Sequence, residues 1–102
     1  MLEQVLDLLT SQDSANIKIV WQILQGNEDL KNEFEEWFRT QVRRITMIFV
    51  SLPKNESDFI KIFQMAKIKY DYRFNYDARL CYLIRTTTSI YEYTGKYIDP
   101  DL

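Results

Sequence analysis

The sequence predicts an all-α fold, a single bundle of about five helices spanning residues 1–102. Apolar residues recur at three- and four-residue spacing along nearly the whole chain. Residues that cap or stop helices interrupt this pattern at intervals suited to short helices. Glycine occurs only twice, too rarely for the tight turns of a sandwich or barrel or for a phosphate-cradling loop. At 102 residues a second domain would be too small to bury a core of its own. A composition of 46% hydrophobic and 27% charged residues fits neither a disordered nor a membrane-spanning chain.

Leu2, Val5, Leu6 and Leu9 form the stripe of a short first helix, which Ser11-Gln12-Asp13-Ser14 breaks. Asp13 or Ser14 suits an N-cap, because a short side-chain oxygen accepts from the free amides of the next turn. Ile17, Val20, Trp21 and Leu24 make the second stripe, with Gly26 placed to supply a left-handed C′ residue. Ile19 and Ile23 lie off that stripe. A helix apolar around most of its circumference is expected at the centre of a bundle.

Asn27 caps the third and longest helix, whose first turn carries Glu28 and Asp29 at the positive end of the helix dipole. Its stripe is read through Leu30, Phe34, Trp37, Phe38, Gln41, Ile45, Ile48, Phe49 and Leu52, to a stop at Pro53. Lys54-Asn55-Glu56-Ser57-Asp58 is a loop with a ready N-cap. Phe59, Ile62, Phe63 and Ala66 mark a fourth helix. Residues 70–75 alternate like a strand but are short and are read as a connection. Tyr76, Leu80, Leu83, Ile84, Thr87, Ile90 and Tyr91 define a fifth helix stopped by Gly95, although Thr86-Thr87-Thr88 lowers its helix propensity. Residues 97–102 form a tail.

Composition excludes several chemistries. With no histidine, His-based triads, imidazole metal sites and imidazole bases are absent. One cysteine, Cys81, excludes an intrachain disulfide and a thiolate zinc site. Cys81 has only Arg79 and Arg85 as basic neighbours on its helix, and Ala78, Arg85 and Ser89 on its side suggest a close helix contact around a structural thiol. Asp29, Glu33 and Glu36 share one face of the third helix, opposite the apolar stripe, where carboxylates are solvated. No cofactor, metal or catalytic residue is expected. Glu3 and Asp7 stand where a signal peptide needs basic residues, and the longest apolar run is Met47-Ile48-Phe49-Val50. A cytoplasmic location without membrane contact is the expectation.

All seven tyrosines lie between Tyr70 and Tyr97, interleaved with Lys67, Lys69, Arg73, Arg79 and Arg85. Such a mixture can complete a core, anchor a protein interface or stack on single-stranded nucleic acid. On the helical wheel Tyr76 and Tyr91 point to the core. Arg79, Tyr82, Thr86 and Tyr93 form a side strip that the core does not require. Arg39, Arg43 and Arg44 follow the acidic turns of the third helix, with Glu35 and Arg39 at the favourable i,i+4 spacing. Met47 and Val50 lie on the outward face of its end.

Residues 8–26 run Leu-Leu-Thr-Ser-Gln-Asp-Ser-Ala-Asn-Ile-Lys-Ile-Val-Trp-Gln-Ile-Leu-Gln-Gly. This segment resembles a helix–loop–helix of uncharacterised bacterial helical proteins, in which it often accompanies leucine-rich repeats. The resemblance implies a bacterial origin and a helical hairpin scaffold, and it carries no catalytic residue. It covers about a fifth of the chain. No leucine-rich repeat occurs here, and Trp21 stands where that group more usually has a small residue.

The net charge of −2 is a sum of unlike parts. Residues 1–38 carry two lysines against eight acids, net −6; residues 39–85 carry ten basic residues against four acids, net +6; residues 86–102 are net −2. The expected function is therefore non-enzymatic: a small interaction module that binds a protein partner, or a second copy of itself, through its basic, tyrosine-rich half. The contact residues expected are Arg43, Arg44, Met47, Arg79, Tyr82, Thr86 and Tyr93, with Cys81 beside Tyr82 in a homodimer. The alternative is a nucleic-acid-binding module using Lys67–Arg85. A third reading, an enzyme, would need a concave pocket around a buried acid such as Asp71 or Asp77.

Overall fold

The computed structural model describes residues 1–46, 49–75, 77–88, 90–91 and 97–98, with side chains described over 1–43, 51–75 and 77–88. The fold is all-α. Among the described residues there are five helices, α1 (Leu2–Thr10), α2 (Ser14–Gln25), α3 (Glu28–Thr46), α4 (Glu56–Ala66) and α5 (Ala78–Thr87). Among the same residues, β1 (Phe49–Val50), β2 (Ile90–Tyr91) and β3 (Tyr97–Ile98) form a small antiparallel ribbon in the order β1-β2-β3. Phe49 pairs with Tyr91 and Val50 with Ile90, and Ile90 and Tyr91 then pair with Ile98 and Tyr97.

Helix starts follow the cap chemistry. Asp13 accepts from the Ala15 amide at 2.8 Å, Asn27 from Leu30 at 3.1 Å, Asn55 from Asp58 at 2.9 Å and Asp77 from Leu80 at 2.8 Å. Each satisfies an amide that the first helical turn leaves without a partner. Helix ends differ from the sequence reading. α3 stops at Thr46, not Leu52, because the chain turns into β1; Leu52 is still buried, reaching the core from the following segment. α5 begins at Ala78 and stops at Thr87, and Ile90 and Tyr91 belong to β2. Within the threonine run, the Thr86, Thr87 and Thr88 hydroxyls all donate back to carbonyls three or four residues earlier. This pattern competes with continued helix. Gly26 is right-handed, with φ −94° and ψ −1°, so the left-handed cap expected there is not used. Left-handed geometry falls instead on Gln12, Lys67 and Tyr72, with φ 59°, 47° and 59°.

The core is built on aromatic rings. Phe34 and Phe38 of α3 and Phe59 and Phe63 of α4 are fully buried. Phe63 lies 5.6 Å from Phe34, 5.9 Å from Phe38, 4.6 Å from Phe59 and 6.0 Å from Phe74 between ring centroids. These are tilted and edge-on arrangements in which the ring quadrupoles attract. Val5, Leu6 and Leu9 of α1, Ile17, Val20 and Leu24 of α2, and Leu80 and Ile84 of α5 close around this centre. Val42 joins it, and Gln41, placed on the apolar stripe, is buried with its Oε1 accepting from the Phe74 amide at 3.3 Å.

α2 packs against α1, α3 and α4 but is not enclosed. Ile19 is 44% and Ile23 37% exposed, because those three neighbours meet only the Ile17–Leu24 side. The side chains of Ile45, Phe49, Tyr91 and Val50, together with Ile48 and Tyr76, lie outside the described residues.

Two stability predictions follow from this packing. Phe63→Ala should cost about 3–5 kcal/mol, since it empties the position that joins α3 to α4, measurable as a lower denaturant midpoint. Gly26→Ala should raise stability by about 0.4–1 kcal/mol, because φ is already negative and an added Cβ would meet the Gln22 and Ile23 carbonyls at an unstrained 3.8 Å.

Candidate interaction surface

Asp77 fixes where α5 starts, and buried Leu80 and Ile84 fix which side faces α4. Arg79, Tyr82 and Thr86 are therefore turned outward, and all three are exposed, Tyr82 by 71%. The Thr86 hydroxyl donates to the Tyr82 and Leu83 carbonyls, both at 3.1 Å, so this residue offers mainly its methyl group outward. Beside the strip lies an open recess of about 370 Å³, lined by Lys61, Gln64 and Met65 of α4 with Arg79 and Leu83 of α5. Met65 and Leu83 are half-buried, with one side on the core.

Of the residues expected from the sequence, Arg79, Tyr82 and Thr86 share this outward side; Lys61, Gln64 and Met65, which the structure places beside them, were not named there. Lys61 and Met65 are i,i+4 on α4, off the Phe59–Ala66 core stripe. That spacing was the available signal, and only the meeting with Arg79 makes it informative. Arg43 of α3 is exposed. The Arg44 side chain, Met47 and Tyr93 lie outside the described residues. Cys81 is half-buried, while Ala78 and Arg85 on its side are exposed, so that side faces solvent rather than a tight helix contact.

The connection between α4 and α5 is a tight reversal. Ile68 and Phe74 bridge antiparallel, and the Lys69 amide donates to the Arg73 carbonyl at 2.8 Å. The Trp37 indole N–H donates to the Tyr72 carbonyl at 3.1 Å, fastening the reversal to α3. The Tyr72 hydroxyl donates to Asp7 Oδ1 at 2.6 Å, fastening it to α1. Arg73 is paired with Asp71 at 3.1 Å, whereas Tyr70 is fully exposed. Carboxylates thus stand among the cations of the Lys67–Arg85 region, which lowers its attraction for a phosphate backbone.

The candidate acids are not enclosed. Asp71 is exposed and ion-paired, Asp77 is exposed and caps α5, and Asp29, Glu33 and Glu36 are exposed on α3. Glu35 pairs with Arg39 at 2.7 Å as the spacing predicts. Among the described residues no group of three or more His, Cys, Asp or Glu is placed to hold a metal ion. No described helix is long and apolar enough to cross a membrane.

The hydrogen bond to Asp7, with partial burial and the nearby charges of Asp7 and Glu3, pushes the Tyr72 hydroxyl up from 10.0 to about 12. Ionising it would set a phenolate against a carboxylate. A pKa raised on folding favours the folded state below the unfolded value and ceases to do so above the folded one. The Tyr72–Asp7 contribution should therefore be complete below pH 10.0 and disappear as pH rises through about 12. Carbon-13 titration should show the Tyr72 ring, assigned by its absence in Tyr72→Phe, ionising late; a Tyr72 that titrates near 10.0 would contradict the contact. Compared with known proteins, the chain matches no family model, no curated protein and no solved structure.

Proposed function

We propose that this chain is a non-enzymatic interaction module that binds a protein partner, or a second copy of itself, through the outward face of α4 and α5. The observation that carries this reading is Tyr82, 71% exposed on the same strip as Arg79 and beside the Met65–Leu83 recess. Tyrosine and arginine are the side chains that most often anchor protein interfaces, and methionine adapts its shape to a partner. A large ring left in water beside a half-buried apolar floor has surface to gain on association. Arg43, Arg44, Met47 and Tyr93 are proposed as further contact residues, and a cytoplasmic setting is proposed with them.

Arg79→Glu combined with Tyr82→Ala should weaken association by about 2 kcal/mol or more, roughly thirtyfold in Kd, if these are anchoring residues. Sedimentation velocity reads this for self-association. For another protein, a benzophenone side chain in place of Tyr82 should crosslink to it, whereas one in place of the exposed Glu33 on α3 should not. Far-UV circular dichroism should be unchanged, since both residues are exposed; lost helicity would make them structural. The nucleic-acid reading retains one supporting observation, the fully exposed Tyr70 beside Lys69. It requires labelled single-stranded oligonucleotides to bind at low salt with a steep salt dependence. Absence of binding there would eliminate it.

A further inference from the structure

A second recess, on different elements, has the character of a small-molecule site. It lies between the last turns of α2, the first half of α3 and the segment 51–54, and has a volume of about 300 Å³. Its apolar walls are Trp21, Leu24, Leu52 and Pro53. Leu24, Leu52 and Pro53 are buried, and Trp21 is half-buried with its ring tilted on Phe59 at 5.2 Å. An apolar, aromatic wall of this kind is a feature of ligand pockets, and the volume is at the small end of their size range; the other five lining residues, Gln25, Lys31, Glu35, Ser51 and Lys54, are polar or charged.

Three charged side chains line the same recess: Lys31, Lys54 and Glu35. Glu35 is already committed. One carboxylate oxygen pairs with Arg39 at 2.7 Å, and the other accepts from the Leu52 amide at 3.4 Å. These contacts offset its charge and hold the 51–54 segment against α3. Lys31 and Lys54 have no ion-pair partner among the described residues. Glu28, one turn before Lys31 and lining the adjoining recess, makes no ion pair with it. An indole-walled slot is thus bordered by two ammonium groups that make no ion pair among the described residues, beside a Glu35 carboxylate already held by Arg39. A flat apolar ring would exclude water from the walls, and an anion would accept charge-assisted hydrogen bonds from the lysines.

We propose that this recess binds a small aromatic carboxylate, its ring against Trp21 and Pro53 and its carboxylate meeting Lys31 and Lys54. The site is separate from the α4–α5 face and does not depend on the partner-binding reading.

The probe is 2-naphthoate, followed by proton–nitrogen NMR on the full chain. The protein has two tryptophans, so two indole N–H signals serve as an internal control. Titration should shift the Trp21 indole and the Leu24, Lys31, Leu52 and Lys54 amides saturably, leaving the Trp37 indole in place. The uncharged isostere 2-naphthamide should bind at least about tenfold more weakly, as expected for loss of a charge-assisted pair. Lys31→Gln with Lys54→Gln should produce a similar loss for naphthoate while the spectrum stays dispersed. Trp21→Phe, which keeps a ring against Phe59, should weaken both probes alike. The proposal is overturned if naphthoate gives no saturable shift or its shifts map elsewhere. Equal affinity for naphthamide, or unchanged affinity in the folded double-lysine variant, overturns it as well.

Discussion

The stacking of Phe63 among the rings of α3, α4 and the 68–74 reversal is the contact on which the rest of the arrangement depends. A helix pair joined by interlocked aromatic side chains has little freedom to slide, since each ring sits in a gap left by others. Phe74 reaches Trp37, Phe38 and Phe63, which brings the chain back across α3 before α5 begins. Once Phe74 is seated, Asp77 can cap α5 and Leu80 can face inward. The exposure of Tyr82 follows from that sequence of constraints. The same cluster places Trp21 through Phe59, so both candidate surfaces are set by one aromatic centre.

The charge segregation along the chain also has a structural meaning. Asp7, in the acidic first third, meets the Tyr72 hydroxyl in the basic middle third, and Lys18 of α2 approaches Glu56 of α4 at 3.9 Å. The second contact is exposed at both ends and adds little. Neither contact pairs an acid of the first segment with a cation of the second, so the segregation is not neutralised there and Lys61, Arg79 and Arg85 remain as exposed basic groups on α4 and α5.

Much of the helical framework was legible because it rests on local chemistry. Asp13, Asn27 and Asn55 announce their helices by residue type, and the Phe34–Phe38 and Phe59–Phe63 spacings announce which faces are buried. The end of α3 was not legible: Ile48, Phe49 and Leu52 continue a helical period, yet a short apolar run fits a strand equally well. Nor was the left-handed geometry at Gln12, Lys67 and Tyr72, since glycine or asparagine is the residue that signals it. Tertiary contacts hold two of them: Gln12 donates to the Gln64 carbonyl at 2.8 Å, and Trp37 donates to the Tyr72 carbonyl. Of the two candidate surfaces, the α5 strip was readable because it lies on one helix. The recess under Trp21 combines residues more than thirty positions apart, and no local pattern encodes it.

The two long-range hydrogen bonds that fasten α1 have a consequence for how the chain is made. Gln12 waits for a carbonyl 52 positions later and Asp7 for a hydroxyl 65 positions later. A nine-residue helix is marginal alone in water. During synthesis α1 is therefore made before these two anchors exist, when its apolar stripe has α2 as its nearest packing partner. Both anchors of this helix lie on segments made after it, so its apolar stripe on α2 is in place before its polar fastenings can form.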